Sequence, residues 1–198
     1  MSHAAPHPDI VAIGASAGGV EAVSELLERL PPDLPASVLV VVHRSVERIS
    51  LLHHVLARRA GLRVVTPDSG EELRHGVCYV GNPERHLMVS PDLRVRFQPD
   101  SFYRTHNIDA LFTSLARNAG PRTIGVVLSG MLKDGTLGLA AIKEAGGIAL
   151  VQSPDEAVHP EMPKAALACD GSIDLVGPIR DLAAKICELV AGRRAAGI

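Results

Sequence analysis

The sequence is poor in several residue types that particular classes of protein need. Of its 198 residues only 3% are aromatic and none is tryptophan, so it lacks the platforms on which single-stranded nucleic acids stack. Its 20 lysine and arginine residues stand against 22 aspartate and glutamate residues, a formal net charge of -2, and this balance argues against nucleic-acid binding. No apolar run approaches the roughly 18 residues that a membrane-spanning helix needs, so we expect no membrane insertion.

Cysteine is scarce as well. Cys78, Cys169 and Cys187 are widely spaced and odd in number, which suits neither a disulfide framework nor a Cys-x-x-Cys zinc site. We therefore expect a protein of the reducing cytoplasm. No motif surrounds Cys169, so we expect a buried structural thiol there rather than a nucleophile. Residues 1–8 lack the pattern of a signal peptide and are expected to form a short leader before one domain at 9–198.

What the sequence does contain is an alternation of short apolar runs and amphipathic stretches. It predicts strands at 10–13, 38–42, 64–65, 123–128 and 148–151, and helices at 20–30, 49–60, 108–119, 137–145, 162–168 and 179–191. This order predicts an α/β fold, a three-layer sandwich around a mainly parallel, doubly wound sheet. Three short extended pieces within 76–97 predict a β-hairpin or meander at the sheet edge, followed by a loop at 100–107.

A serine follows the first predicted strand. The segment IGASAGG, residues 13–19, runs from strand to helix through a glycine-rich turn and carries Ser16. Such a turn can present a serine hydroxyl beside the free N–H groups of a helix N-terminus, an arrangement that suits a nucleophile whose intermediate bears an oxyanion. Two other interpretations stay open on this motif alone: Ser16 as a helix N-cap, or the turn as a phosphate-binding loop.

A histidine and an aspartate also follow predicted strands. His43 ends the apolar run 38–42 and could act as a general base, or could simply bond a loop carbonyl. Asp134 lies between the strand at 123–128 and the next helix, and could orient an imidazole or serve as a helix N-cap. Because ligands bind at the carboxyl ends of parallel strands, the three side chains together favour a Ser-His-Asp arrangement at one sheet edge.

These residues resemble those of a known family. The segment IGASAGG, the strand-end His43, and LSGM at 128–131 followed by Asp134-Gly135 are similar to the catalytic domain of the CheB family, the chemoreceptor methylesterases. Further similar segments are YVGNP at 79–83 with His86, IDALF at 108–112, Gly146-Gly147 through Gln152, and Met162-Pro163 with Ala166. The resemblance extends over nearly the whole chain, from about Asp9 to the final helix.

The resemblance implies a specific activity. Family members hydrolyse γ-glutamyl methyl esters on chemoreceptors with release of methanol, and some also deamidate glutamine. Ser16 then matches the nucleophile, His43 the base and Asp134 the orienting acid. The backbone N–H groups of Ala17 and Met131 match the oxyanion donors. No metal or organic cofactor is implied by the resemblance. The implied partners are a methylated chemoreceptor-like protein and a separate receiver domain or methyltransferase.

The chain also departs from the family pattern. Members usually begin with a phosphorylatable receiver domain, which we expect this chain to lack because so few residues precede the first strand. Arg44-Ser45 stands where the chemotaxis enzymes commonly have Met-Pro, and Lys133 adds a charge beside Asp134. These departures support an alternative function, a catalytically weak binding or regulatory module in a non-flagellar pathway. A third hypothesis is a nucleotide-binding protein that uses the turn at 14–19 for phosphate.

Overall fold

The structure is a computed structural model that describes residues 9–43, 51–83, 85–99, 106–169 and 172–192. The predicted leader at 1–8, most of the predicted loop at 100–107 and the Arg44-Ser45 pair lie outside these residues. In the part of the chain that is described, no helix is both long enough and apolar enough to cross a membrane.

Strands and helices alternate along most of the chain. The strands are β1 (Ile10–Ala15), β2 (Ser37–Val42), β3 (Arg63–Val65), β4 (Val77–Val80), β5 (Arg85–Val89), β6 (Val95–Pro99), β7 (Thr123–Val127), β8 (Ile148–Gln152) and β9 (Leu175–Gly177). The helices are α1 (Gly19–Glu28), α2 (Leu52–Ala57), α3 (Asn107–Asn118), α4 (Thr136–Glu144), α5 (Glu161–Ala168) and α6 (Ile179–Ala191). A short 3-10 helix, Gly120–Arg122, precedes β7.

One parallel sheet organises the domain. Its seven strands lie in the order β3-β4-β2-β1-β7-β8-β9, and every neighbouring pair is parallel. Strand β1 lies at the middle of the sheet, with β2 beside it on one side and β7 beside it on the other. In open sheets of this kind, ligands bind at the carboxyl ends of the strands where the strand order reverses. The segments that follow β1, β2 and β7 are therefore the ones to search for a site.

Both faces of the sheet are buried. Along β1, Val11 and Ile13 face one hydrophobic cluster and Ile10 and Ala12 face the other, as the two-residue period of a strand requires. Helices α1, α2 and α6 cover the first face, while α3, α4, α5 and the β5–β6 hairpin cover the second. This burial explains why β1, β2 and β7 appear in the sequence as continuous apolar runs.

The predicted α/β sandwich is confirmed, with differences in detail. The hairpin is β5 paired antiparallel with β6, and its two strands form a sheet of their own. The first extended piece of that region is β4, which lies inside the main sheet between β3 and β2. The helix expected at 49–60 is shorter, since α2 begins at Leu52 and ends at Ala57. Strand β9 was not predicted because three residues carry too little periodicity.

Candidate active site

Ser16 and His43 are neighbours because β1 and β2 pair in register. Ala15 lies opposite Val42 at the end of the two strands, so Ser16 and His43 are the next residues along each chain. The N–H of His43 donates to the carbonyl of Ala15 at 3.0 Å, which carries the pairing one residue beyond the strands. The parallel register therefore brings a serine and a histidine to one point at the carboxyl edge of the sheet.

The turn after β1 leaves the Ser16 hydroxyl unengaged by helix capping. The N-cap of α1 is Gly18, in a left-handed conformation with φ 69° and with no side-chain cap bond. The Ser16 backbone is fixed on both sides, since its N–H donates to Ser129 O at 3.0 Å and its carbonyl accepts from Gly19 N–H at 2.8 Å. The N-cap interpretation of Ser16 is therefore wrong.

His43 is held by Asp134. Its Nε2 lies 2.7 Å from Asp134 Oδ2, and the two side chains are 22% and 3% exposed. The ring and the carboxylate are therefore in close contact, and in a neutral imidazole with its proton on Nε2 the other ring nitrogen, Nδ1, is an unprotonated base. The partner of the strand-end histidine is thus a buried carboxylate rather than a loop carbonyl.

Asp134 binds helix α3 and does not cap the helix that follows it. The N-cap of α4 is Gly135, without a side-chain cap bond. Asp134 Oδ2 instead accepts the N–H of Ile108 at 2.9 Å, and Oδ1 accepts the N–H of Asp109 at 3.0 Å and of Gly135 at 2.9 Å. Ile108 and Asp109 belong to the first turn of α3, whose free N–H groups and positive dipole end favour an anion.

These contacts set the ionisation of Asp134. Burial alone raises the pKa of a carboxyl group. The close contact with His43 and the hydrogen bonds from the N–H groups of Ile108 and Asp109 outweigh burial and hold the pKa of Asp134 below its ordinary value. Asp134 is therefore a carboxylate at neutral pH, able to fix the imidazole ring and to stabilise its protonated form.

Asp109 is a second carboxylate in the same cluster. Its Oδ1 accepts the N–H of Gly138 in the first turn of α4 at 2.7 Å, and its Oδ2 lies 3.6 Å from His106 Nδ1. Burial and the neighbouring Asp134 carboxylate raise the pKa of Asp109, against the opposing bond from Gly138. The pKa of Asp109 is thus raised and the pKa of Asp134 is lowered, although the two side chains lie in the same buried cluster.

Among the described residues, one group of side chains has a geometry that could hold a metal ion: His106, Asp109 and Asp134. One potential ligand atom from each lies within 4.8 Å of the others. Both oxygens of Asp134, however, already accept hydrogen bonds from backbone N–H groups, and Oδ2 also faces His43. We therefore assign this group to hydrogen bonding.

The turn after β7 packs against Ser16. A Cβ added to Gly130 would lie 2.9 Å from Ser16 Cβ and 2.1 Å from Met162 Sδ, so no side chain fits there. The Ser129 hydroxyl donates to Ala17 O at 2.9 Å and accepts the N–H of His159 at 3.0 Å. The turns after β1 and β7 are thereby tied together beside the serine.

Gln152 braces the same turn from β8. Its Oε1 accepts the N–H of Ser129 at 2.8 Å, and its Nε2 donates to Glu156 Oε2 at 3.0 Å. The same Glu156 oxygen accepts the N–H of Ile179 at the start of α6 at 2.8 Å. Sequence reasoning gave no role to Ser129, Gln152 or Asp109, although Gln152 ends a buried strand, the same signal that singled out His43.

The two expected oxyanion donors lie on the turns that flank Ser16. Ala17 directly follows Ser16, and Met131 follows Gly130. Among the residues that the structure describes, neither the Ala17 N–H nor the Met131 N–H has a hydrogen-bond acceptor. Neither N–H is thus committed to another described residue, and their role as oxyanion donors stays a prediction.

The three cysteines differ in environment. Cys78 is buried, and burial raises the pKa of its thiol to about 12. Burial also raises the pKa of the Cys187 thiol. Cys169, expected to be buried, is instead half-buried, and it lines a cleft of about 370 Å³ with Asp109, Lys133 and Leu137. Cys78 and Cys187 are therefore poor nucleophiles.

Comparison with known proteins identifies the family. Residues 11–186 match the family described as CheB methylesterase. The chain belongs to the CheB methylesterase family. It is similar in structure to the CheB methylesterase catalytic domain of Thermotoga maritima, with 29% sequence identity and a TM-score of 0.84 over 93% of this chain and 100% of that one. The similarity between this chain and the Thermotoga maritima domain therefore extends over the whole α/β fold.

Two curated relatives illustrate the similarity in sequence. A protein-glutamate methylesterase/protein-glutamine glutaminase of Moorella thermoacetica is 36% identical over 200 residues, covering 94% of this chain and 45% of the relative. Protein-glutamate methylesterase/protein-glutamine glutaminase 2 of Anaeromyxobacter dehalogenans is 37% identical over 183 residues, covering 91% of this chain and 53% of the relative. The chain thus spans about half the length of these CheB relatives.

Proposed function

We propose that this chain is a serine hydrolase that removes methyl groups from γ-glutamyl methyl esters of a chemoreceptor-like protein. The observation that carries the proposal is the 2.7 Å contact between His43 Nε2 and Asp134 Oδ2, next to a serine placed beside His43 by the β1–β2 register. A serine hydroxyl becomes an effective nucleophile when an adjacent base takes its proton. The names of the family relatives supply the ester as the substrate class.

The proposed reaction has two halves. Ser16 Oγ attacks the ester carbonyl carbon while His43 Nδ1 takes the hydroxyl proton, and the N–H groups of Ala17 and Met131 stabilise the oxyanion. The intermediate collapses to an acyl-enzyme, and the methoxy group leaves as methanol with the proton from His43. Water then attacks the acyl-enzyme, again with His43 as base, and restores Ser16 and a glutamate carboxylate. Asp134 stabilises the imidazolium in both halves.

The same steps accommodate a glutamine side chain. An amide carbonyl passes through the same tetrahedral intermediate, and His43 protonates the nitrogen that leaves as ammonia. The products are then ammonia and glutamate. We include this deamidation in the proposal because the relatives' names pair methylesterase with glutaminase.

We further propose a domain that occupies 9–198, acts in the cytoplasm and works with a separate methyltransferase or receiver domain. Free cysteines at 78, 169 and 187 agree with a reducing compartment. The alternative of a catalytically weak binding module is not favoured, because Ser16, His43 and Asp134 are all present. The pKa of Asp134 is also lowered, so that a carboxylate contacts His43.

The test is methanol release from a chemoreceptor carrying labelled methyl esters. We expect wild type to release labelled methanol and Ser16→Ala to lose at least a thousandfold in rate. Ser24→Ala, which changes a serine buried in α1 away from the sheet edge, is the matched control and should keep the wild-type rate. Release by Ser16→Ala at the wild-type rate would contradict the proposal.

A further inference from the structure

Leu132 has a backbone conformation that disfavours leucine. Its φ is 66°, in the left-handed region, which glycine adopts freely and a bulky residue adopts only at a cost. Leu132 is also 72% exposed. It therefore gains nothing from packing in the core that would offset the cost of its backbone conformation. Neither local conformation nor packing within the chain therefore accounts for a leucine at this position.

The position of Leu132 relates it to the site. It lies in the connection from β7 to α4, directly after Met131 and two residues before Asp134. Met131 and Leu137, in the same connection and in the first turn of α4, are also exposed, at 51% and 69%. We call Met131, Leu132 and Leu137 the rim patch. Exposed apolar side chains this close along the chain are candidates for a contact surface.

The rim patch adjoins a cleft that reaches the catalytic cluster. The cleft of about 370 Å³ is lined by Leu137, Lys133 and Asp109. The N–H of Asp109 donates to Asp134 Oδ1 at 3.0 Å. Leu137 of the rim patch thus lines the cleft together with Asp109, which is hydrogen-bonded to the carboxylate that contacts His43. Leu132 directly follows Met131, so a molecule whose carbonyl oxygen accepts the Met131 N–H lies beside Leu132.

We propose that Leu132 is a specificity-determining residue that contacts an apolar side chain of the protein substrate beside the methyl ester. Backbone strain that packing does not offset is characteristic of functional positions. A protein surface that delivers an ester to Ser16 covers the rim patch, whereas a small ester leaves Leu132 in water. The inference rests on the proposed function and deepens it by assigning where the protein part of the substrate binds.

The test compares two substrates in Leu132→Gly, which removes the side chain and the backbone strain together. With 4-nitrophenyl acetate we expect kcat/KM within twofold of wild type. With a methylated chemoreceptor we expect kcat/KM to fall at least tenfold, since burial of a leucine side chain on binding is lost. We also expect the midpoint of thermal unfolding to rise by about 2–4 °C, because glycine relieves the strain.

Two further variants serve as controls. Leu93→Gly changes the other leucine with positive φ, 56°, in the turn between β5 and β6, and should leave both activities unchanged. Leu132→Met, which keeps an apolar side chain, should retain most of the activity on the protein substrate. That pattern distinguishes the chemistry of the side chain from the conformation of the loop.

Three outcomes would overturn the inference. An equal loss on both substrates would mean that Leu132 only positions the catalytic loop, and no loss on either would mean that its side chain is not used. A dimeric wild type that Leu132→Gly converts to a monomer would assign the rim patch to a second copy of this chain. The proposed function is tested separately, because it depends on whether the wild type hydrolyses the methylated protein at all.

Discussion

At the scale of single residues, the charge of Asp134 has two uses at once. The same carboxylate accepts N–H groups from the first turn of α3 and faces His43. A neutral amide can satisfy part of this arrangement only, because its nitrogen is a donor. Catalysis and the attachment of α3 therefore depend on one side chain.

Asp134→Asn should lose about 10³–10⁴-fold in kcat for ester hydrolysis, since the imidazole loses its anionic partner. It should also be less stable, because an amide nitrogen cannot accept both sets of N–H groups. Hydrolysis of 4-nitrophenyl acetate and thermal unfolding measure the two effects. Asp33→Asn, in an exposed turn, is the control and should change neither. Activity of Asp134→Asn within tenfold of wild type would contradict the assigned role.

Asp109→Asn should raise the free energy of unfolding at pH 7. Because burial and Asp134 raise the pKa of Asp109 in the folded chain, its ionisation costs folding stability as pH rises from about 4, the ordinary value, through the raised pKa. An asparagine carries no such cost and still accepts the N–H of Gly138. The gain over wild type should be largest at pH 7 and should vanish below about pH 4.

Urea unfolding at pH 3.5 and pH 7 measures this difference. Asp155→Asn, at an exposed position, controls for the general effect of removing one negative charge. A gain of equal size at both pH values, or no gain at pH 7, would contradict the assigned ionisation of Asp109.

At the scale of elements, the turn after β7 is built around a position with no room for a side chain. Gly130→Ala forces a Cβ against Ser16 Cβ and Met162 Sδ. Overpacking of this kind costs about 1–3 kcal/mol, and displacement of a nucleophile by about 1 Å can lower activity a hundredfold. We therefore expect a modest fall in thermal stability and a much larger fall in ester hydrolysis.

Gly177→Ala is the matched control, because a Cβ there meets its nearest neighbour, Asp181 Cβ, at 3.6 Å, an ordinary contact. It should keep both stability and activity. Gly130→Ala with wild-type activity would show that Ser16 is not positioned by this turn.

The elements also show where sequence reasoning succeeds and where it stops. β1, β2 and β7 were predictable because strands buried on both faces are continuous apolar runs, and a polar residue after such a run is conspicuous. The capping of α3 by Asp134 was not predictable, since the two partners are 25 and 26 residues apart and a local cap of α4 is the simpler pattern. The sequence predicts β4 as part of the hairpin because the pairing of β4 with β2 and β3 is not local.

At the scale of the whole molecule, two hydrophobic clusters share one sheet. Leu26 of α1 belongs to one cluster and Phe112 of α3 to the other, and each is fully buried. Because both clusters pack on the same strands, they should unfold together. Leu26→Ala and Phe112→Ala should each cost about 2–5 kcal/mol.

Each variant should lower the midpoint of a single unfolding transition that is the same by circular dichroism and by calorimetry. Leu51→Ala, an exposed leucine before α2, should leave the midpoint unchanged. Two separate transitions, with only one of them moved by each variant, would contradict a single cooperative domain.

The central claim is that His43, held by Asp134, activates the hydroxyl of Ser16. The most direct measurement is mass spectrometry of the protein after reaction with an alkyl fluorophosphonate, which phosphonylates an activated serine with loss of fluoride. The account predicts one adduct in wild type, located at Ser16 within the tryptic peptide 1–29, and none in His43→Ala. Absence of an adduct from wild type, equal labelling of His43→Ala, or an adduct on Cys169 in place of Ser16 would contradict it.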